Sequence, residues 1–329
     1  MNYALRRAGF YLVTAWIAIT LNFLVPRLMP GDAATAAFAS QYQRLSSNPA
    51  ALAQIQSAFG ISDDPIYVQY VRYWRDLLHG NLGTSYTFFP ASVSDVIGQS
   101  LPWTLALVGS AAVIAFAIGT SVGIVAAWRR GGKLDSVLPP VALFLGAFPA
   151  FFLSLLLLYS FAYNLRWFPT GHGYTPGMPP SWTWSSIGDL VYHALLPALT
   201  IVLISIGGWV LSMRNTMVGV LSEDYITMAQ ARGLPRRHIM FGYAARNAML
   251  PQLTGLALAI GFLVGGQVLV EYIFTYPGLG SILAFAVGSK DYPLIQGMLL
   301  TITLCVLLAN FVVDLLYMAL DPRTRGARA

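Results

Sequence analysis

One cysteine, two lysines, four histidines and a charged fraction of only 10% set the first limits on this 329-residue chain. A single thiol, Cys305, builds no disulfide framework, and its place in an apolar run makes it a packing residue. Charged residues at 10% and apolar residues at 57% lie on opposite sides of the roughly 25% and 45–50% of soluble domains, which excludes an ordinary soluble fold. Lys133 and Lys290 are the only lysines. Lys133 follows Gly132 but precedes Leu134, with Ala127 where a phosphate-binding loop needs its first glycine, and Lys290 follows Ser289, so the chain is expected to bind no nucleotide. His79, His172, His193 and His238 stand in separate segments without ligand spacing, which argues against a metal site. No nucleophile, base and orienting group fall together, so no catalytic residue is expected.

What is present in quantity is hydrocarbon. Crossing a bilayer takes about 20 helical residues at about 1.5 Å each, and six windows meet that need: 8–25, 101–128, 137–163, 195–211, 253–273 and 298–320. The runs are continuous and do not alternate, which excludes a β-barrel and predicts an all-α integral membrane protein, one membrane domain over 1–329. An N-terminus placed inside leaves Arg6, Arg7, Arg129, Arg130, Lys133, Arg214, Arg232, Arg236, Arg237, Arg246, Arg323, Arg325 and Arg328 on the cytoplasmic side. Only Arg27, Arg44, Arg72, Arg75, Arg166 and Lys290 fall outside. That bias follows the positive-inside rule, puts both termini in the cytoplasm, and accounts for a net charge of +6 without nucleic acid. The start resembles a signal peptide, yet its apolar run continues to Val25 with no small-residue cleavage site, so the first span is read as retained.

The connections are unequal. An external segment over 29–100 has helical periodicity at 49–59 and at 64–78, where Ile66, Tyr70, Tyr73, Trp74 and Leu77 fall on one face. A second external loop, 165–192, is rich in Pro, Gly and Trp (Pro176, Gly177, Pro179, Pro180, Trp182, Trp184) and is expected to form an irregular cap whose tryptophans anchor at the interface.

The cytoplasmic segment 212–251 is patterned as helix, turn, helix. Ser222 suits an N-cap, Glu223 and Asp224 the first turn, Gly233 a left-handed residue closing the helix, and Pro235 the first position of a second short helix. Ile226, Ala229 and Leu234 are expected to pack inward while Arg232, Arg236, Arg237 and His238 stay wet. The residues alone leave two readings: a rigid knuckle offered to a soluble partner, or an amphipathic loop on lipid headgroups. Within the spans, Asn310 and Asp314 lie four apart on one helix face and are expected to pair with a basic group. Glu271 lies near the opposite surface. Gly119-x-x-x-Gly123 and Gly261-x-x-x-Gly265 let helices approach closely.

From Arg6 to Arg323 the chain resembles the permease subunits of type I ATP-binding-cassette importers, in the dipeptide/oligopeptide/nickel branch. The resemblance is carried by Pro30-Gly31-Asp32, Pro65-Ile-Tyr-Val-Gln-Tyr70 and Gly80-Asn-Leu-Gly-Thr-Ser-Tyr86. It continues through the stretch from Tyr225 that ends Arg246-Asn-Ala-Met-Leu-Pro251, then Glu271-Tyr-Ile-Phe-Thr-Tyr-Pro-Gly-Leu-Gly280, Asp291-Tyr-Pro293, Asn310-Phe-Val-Val-Asp314 and Leu320-Asp-Pro-Arg323. The general signature of such permeases, Glu-Ala-Ala six residues before a glycine, is replaced here by Thr227, Met228 and Ala229. Ala245-Arg246 stands where Leu-Pro belongs and Leu250-Pro251 follows later, a departure similar to that of the peptide branch. The resemblance implies a six-helix permease fold in a bacterial or archaeal inner membrane, with a cytoplasmic coupling-helix loop and a large external loop. It implies a non-catalytic subunit forming half of a pathway for di- and oligopeptides, with oligosaccharides, glutathione or nickel as alternatives. The implied partners are a second homologous permease, two cytoplasmic ATPase subunits that carry ATP and Mg, and an external binding protein. The implied coupling residues are Glu223, Asp224, Tyr225, Ala229, Ala231, Arg232, Gly233, Leu234 and Pro235. A self-sufficient carrier or channel is the competing class, and the expected absence of inverted repeats, of broken midplane helices and of a carboxylate chain weighs against it.

Overall fold

The computed structural model describes residues 2–28 and 64–320, with side chains at 2–6, 25–28, 257, 260–266 and 312–320 left outside the description. Pro30-Gly31-Asp32, the expected helix at 49–59 and the tail beyond Leu320 therefore lie outside the described residues. The regular elements among those described are all helices, with one isolated bridge between Thr84 and Ser92.

In chain order the helices are α1 (Asn2–Leu28), α2 (Ile66–Leu78), α3 (Val93–Trp128), α4 (Lys133–Ala147) and α5 (Ala150–Leu157), which continues as a wider π-type turn over Leu158–Asn164. Then come α6 (Trp184–Leu221), α7 (Asp224–Ala231) and α8 (Arg236–His238), the last joined through a π-type stretch Ile239–Ala245 to α9 (Arg246–Gly266). α10 (Val268–Ile273), α11 (Leu279–Ser289) and α12 (Tyr292–Leu320) complete the order. Among the described residues, four helices are long and apolar enough to cross a membrane: α1 over Arg7–Leu24, α3, α6, and α12 over Tyr292–Phe311.

The span expected at 137–163 is bent, not a single continuous helix, so a broken helix stands where none was expected. α4 and α5 pass the same test only as a pair, bent by 93° at the break between them. Pro149 is the cause: it has no N–H to give the helix and pushes the residue before it out of helical geometry, and Phe148 has φ −73° and ψ 128°. The expected span at 253–273 is likewise divided at Gln267, between α9 and α10.

Other helices run past the bounds set by the apolar windows. α3 starts inside the stretch expected to be external, because Ser92 caps it: its Oγ accepts from Asp95 N–H at 3.1 Å and donates to the Asp95 carboxylate at 2.7 Å. α6 begins at Trp184, within the loop expected to run to 192, with Thr183 as its N-cap. The rest of that loop is irregular as expected. Asp189 fastens it by accepting from Thr175 N–H and Oγ1, both at 2.7 Å, and Trp182 is fully exposed.

α3 and α6 pack along their length and form the frame. The reason is the small-residue spacing: a Cβ at Gly119 or Gly123 would collide with Trp209 or with the Val210 carbonyl and Met213. Gly261 and Gly265 lie on α9 where side chains are not described. α1 packs on α12 through a reciprocal pair, Asn22 Nδ2 to Gln296 O at 2.8 Å and Gln296 Nε2 to Asn22 O at 3.1 Å. α2 lays Tyr70 and Tyr73 on buried Phe23 of α1, whereas Ile66, expected on the same face, is exposed. Cys305 is free and half-buried against the cluster around Leu294 and Met298, the packing role expected of it.

Candidate functional site

The segment joining α6 to α9 sits at one end of the bundle. Leu221 ends α6 and Ser222 closes it, with its N–H on the Gly219 carbonyl at 3.1 Å and its hydroxyl donating to the same oxygen at 2.7 Å, while Glu223 N–H takes the Val220 carbonyl at 3.2 Å. Ser222 therefore caps the preceding helix and not, as expected, the following one. Glu223 is the N-cap of α7, and its carbonyl receives Ile226 N–H at 3.0 Å. Glu223 and Asp224 stay exposed at that N-terminus, where the helix dipole favours negative charge.

The other end of α7 is a Schellman closure. Gly233 N–H bonds the Gln230 carbonyl at 2.9 Å and Leu234 N–H bonds the Ala229 carbonyl at 3.3 Å, so two terminal carbonyls are satisfied within the turn. Gly233 has φ +72°, and a Cβ there would meet nothing within 4 Å. The backbone angle, not crowding, is what calls for glycine. Pro235 is the N-cap of α8, one position earlier than expected, with φ −58° and ψ 137°. The second helix is not short. Helical backbone runs without interruption from Arg236 through the π-type stretch to Gly266, so the elbow is continuous with a long helix.

Ile226 and Ala229 anchor α7. They are 1% and 4% exposed, among Ile124 and Ala127 of α3, Met213 and Met217 of α6, and Ile239, Met240, Ala244 and Ala248 beyond the elbow. Leu234 is half-buried against the same cluster. Removing a buried Ile side chain of this kind costs about 2–4 kcal/mol. Tyr225 is tied back by its hydroxyl, which accepts from Asn247 Nδ2 at 3.0 Å. Exposed on the outer face are Glu223, Asp224, Tyr225, Thr227, Met228, Ala231, Arg232, Gly233 and Pro235.

The structure therefore brings all nine expected coupling residues into one knuckle but sorts them. Ala229 faces inward and Leu234 largely so, as anchors, while the other seven present the surface. Met228, 64% exposed, joins that surface, although an apolar side chain gives no sequence signal of a wet face.

A second loop braces the knuckle. Asp135, in the first turn of α4, accepts from Arg214 Nε of α6 at 2.8 Å with one oxygen and from Gly131 N–H at 2.9 Å with the other. The Arg129–Lys133 turn is thereby fixed beside α7. Between the two loops opens a cleft of about 590 Å³ lined by Ala127, Trp128, Arg130, Val218, Leu221, Gln230, Leu234, Arg236 and Ile239.

The remaining polar candidates lie elsewhere. Glu271 is 1% exposed at the opposite end, and its carboxylate accepts from Gly280 N–H at 2.7 Å, holding α10 on the N-terminus of α11. Asp291 is fully buried and accepts from Ser85 Oγ at 2.6 Å, Thr87 N–H at 2.9 Å and Leu294 N–H at 3.2 Å. Two motif stretches 200 residues apart in sequence thus bond to each other. Asn310 is half-buried on α12, and the Asp314 side chain lies outside the description.

The family model for the inner membrane component of binding-protein-dependent transport systems matches residues 119–326, more than half of the chain. A protein of Brucella suis biovar 1 (strain 1330), provisionally named a peptide permease protein, is 35% identical over 328 residues, covering 99% of both chains. The glutathione transport system permease protein GsiC of Salmonella paratyphi A is 35% identical over 335 residues, again covering 99% of both. The oligopeptide transport system permease protein AppB of Bacillus subtilis (strain 168) is 32% identical over 303 residues, covering 92% of both. A glycine-closed knuckle set on a bundle of membrane-length helices, together with these matches along nearly the whole chain, places the protein in the binding-protein-dependent transport system inner membrane component family, among the importer permeases of the peptide branch.

Proposed function

We propose that the chain is one half of the membrane pathway of an ATP-driven importer of di- and oligopeptides, acting beside a second, homologous permease. In this reading residues 1–329 form one membrane domain of six spans, the bent α4–α5 pair and the divided α9–α10 segment counting as one span each. Both termini and the knuckle face the cytoplasm, and the stretch before α3 faces outward. Two ATPase subunits bind ATP and Mg and grip the knuckle; an external binding protein delivers cargo. The chain itself is not catalytic. Glu223, Asp224, Tyr225, Ala231, Arg232, Gly233 and Pro235 contact the ATPase, with Ala229 and Leu234 anchoring them. Asn310 and Asp314 pair with a basic group and Glu271 is structural.

The observation that carries this reading is the Schellman elbow at Gly233. It joins a short helix anchored by Ile226 to a helix running to Gly266, so a push on α7 is delivered to the bundle and not absorbed by a soft loop. Substrate class rests on the relatives, named for peptide, oligopeptide and glutathione transport, glutathione being itself a tripeptide.

The test is a Gly233→Val variant, which forces a β-branched residue into left-handed geometry at about 1–2 kcal/mol. Reconstituted with its partners, it should insert and assemble normally yet lose the coupling of ATP hydrolysis to peptide uptake. Normal transport by this variant would refute the elbow. Uptake by the lone chain in liposomes without ATPase would instead establish a self-sufficient carrier.

A further inference from the structure

The cleft between the Arg129–Lys133 turn and the elbow has a charge that the proposed function does not use. Arg130 lines it from one loop and Arg236 from the other, and neither Asp nor Glu lines it. Neither guanidinium makes a salt bridge among the described residues. Asp135 is close enough to Arg130 to interact electrostatically, but its two oxygens are engaged by Arg214 and the Gly131 N–H. Two arginines converging on a pocket with an amide, Gln230, and a floor of Val218, Leu221 and Ile239 suit a carboxylate on an apolar stem, because a guanidinium binds carboxylate in a planar two-pronged fork.

Its level along α6 selects the occupant. The Asp135–Arg214 pair marks where α6 leaves the apolar layer. Val218 and Leu221 of the cleft lining lie four and seven residues further on, about 6 and 10 Å at 1.5 Å per residue. A headgroup layer is roughly 5–8 Å deep on each side. The cleft therefore reaches from the headgroup level to its outer limit and beyond, beside the residues that flank Gly233.

We propose that this cleft seats a carboxylate-bearing segment of the partner ATPase, gripped by Arg130 and Arg236. The proposal rests on the reading of the knuckle as the ATPase contact and gives that contact a direction. Glu223 and Asp224 stand at one end of α7, with Arg232 about 12 Å away at its other end and Arg236 and Arg237 beyond the elbow. The facing ATPase surface runs basic to acidic in the opposite sense, which allows one docking orientation and penalises its reverse.

The test uses the complete transporter in nanodiscs containing phosphatidylglycerol, in a Cys305→Ser background. Gln230→Cys carrying a maleimide-benzophenone, mapped by mass spectrometry, should label an ATPase peptide containing Asp or Glu. Labelling of lipid alone, or of an ATPase peptide without a carboxylate, overturns the proposal. Arg130→Glu and Arg236→Glu should each lower peptide-stimulated ATP hydrolysis by about tenfold or more, with Arg→Lys at either position milder. Stimulation unchanged by both reversals overturns it. Should a reversal aggregate the permease, Arg236→Gln must bind the ATPase more weakly and with less salt dependence, and equal binding overturns the proposal. Met228→Cys with the same probe separates the two readings. If it labels the ATPase while Gln230→Cys does not, the cleft proposal fails and the knuckle stands; if neither does, both fail.

Discussion

The two ends of the bundle solve the same problem, closing helices outside the apolar layer, in opposite ways. At the far end the polar groups are inside: Asp291 and Glu271 are buried and take backbone N–H groups, Asp291 from distant Thr87 and nearby Leu294, Glu271 from Gly280. At the knuckle end the polar groups are outside and the inside is aliphatic, with Ile226 and Ala229 among methionines and alanines. An end whose carboxylates are consumed by its own backbone has little left to offer a partner and works as a scaffold. An end held by apolar anchors and backbone caps leaves its charged side chains free for one.

The contrast breaks most visibly at Asp291. Replacing it with Ala strands the Ser85 hydroxyl and the N–H groups of Thr87 and Leu294, and should lower stability by about 2–4 kcal/mol. Thermal unfolding in detergent should show the largest Tm drop of the variants considered, and Asp291→Asn, which keeps an acceptor oxygen, a smaller one. Molecules that do fold should retain ATPase binding, since the knuckle is untouched. Loss of ATPase binding from well-folded Asp291→Asn would mean the ends are not independent.

Ile226→Ala is the matching change at the knuckle. It empties part of the anchor at a cost of about 2–4 kcal/mol, but the loss is confined to α7. The global Tm should move less than for Asp291→Ala, while hydrogen exchange of the 224–231 amides rises and peptide uptake falls more than ATP hydrolysis does. An equal fall in both activities would mean that α7 is needed for assembly and not for coupling.

How much of this could be read beforehand follows from range. Gly233, Ile226 and Glu223 were legible because helix closure, amphipathic spacing and first-turn charge are effects within four residues. Ser222 was misassigned because the same hydroxyl can serve the helix behind or ahead of it, and the choice was made by the Gly219 carbonyl. The bend at Phe148–Pro149 was missed although the proline was in plain view, because an apolar window records length and not direction. Other prolines, such as Pro102 and Pro197, sit within unbroken helices. The pairing of Asp291 with Ser85 and of Asp135 with Arg214 had no local signal. Each joins segments 206 and 79 residues apart, and only the fold brings them together.

Asp135→Asn carries the smallest expected effect and is the sharpest probe of the boundary between the two regimes. The pair it breaks is partly exposed, with Arg214 at 25% and Asp135 at 9% side-chain exposure, and ion pairs of that kind add little to stability. Its Tm change should therefore be smaller than that of either core variant. Its geometric role is larger: Asp135 is the clasp that fixes the Arg129–Lys133 turn against α6, through Arg214 on one oxygen and Gly131 on the other. Asn keeps an acceptor for one of the two and loses the ionic partner, so the turn should loosen and Arg130 should leave its place opposite Arg236. A spin-label distance from Arg130→Cys to Arg237→Cys, on the Cys305→Ser background, should broaden in Asp135→Asn while the melting curve barely moves. An unchanged distribution would show that the turn is held by its own backbone, and the brace beside the knuckle would then be a property of Gly131-Gly132 rather than of the carboxylate.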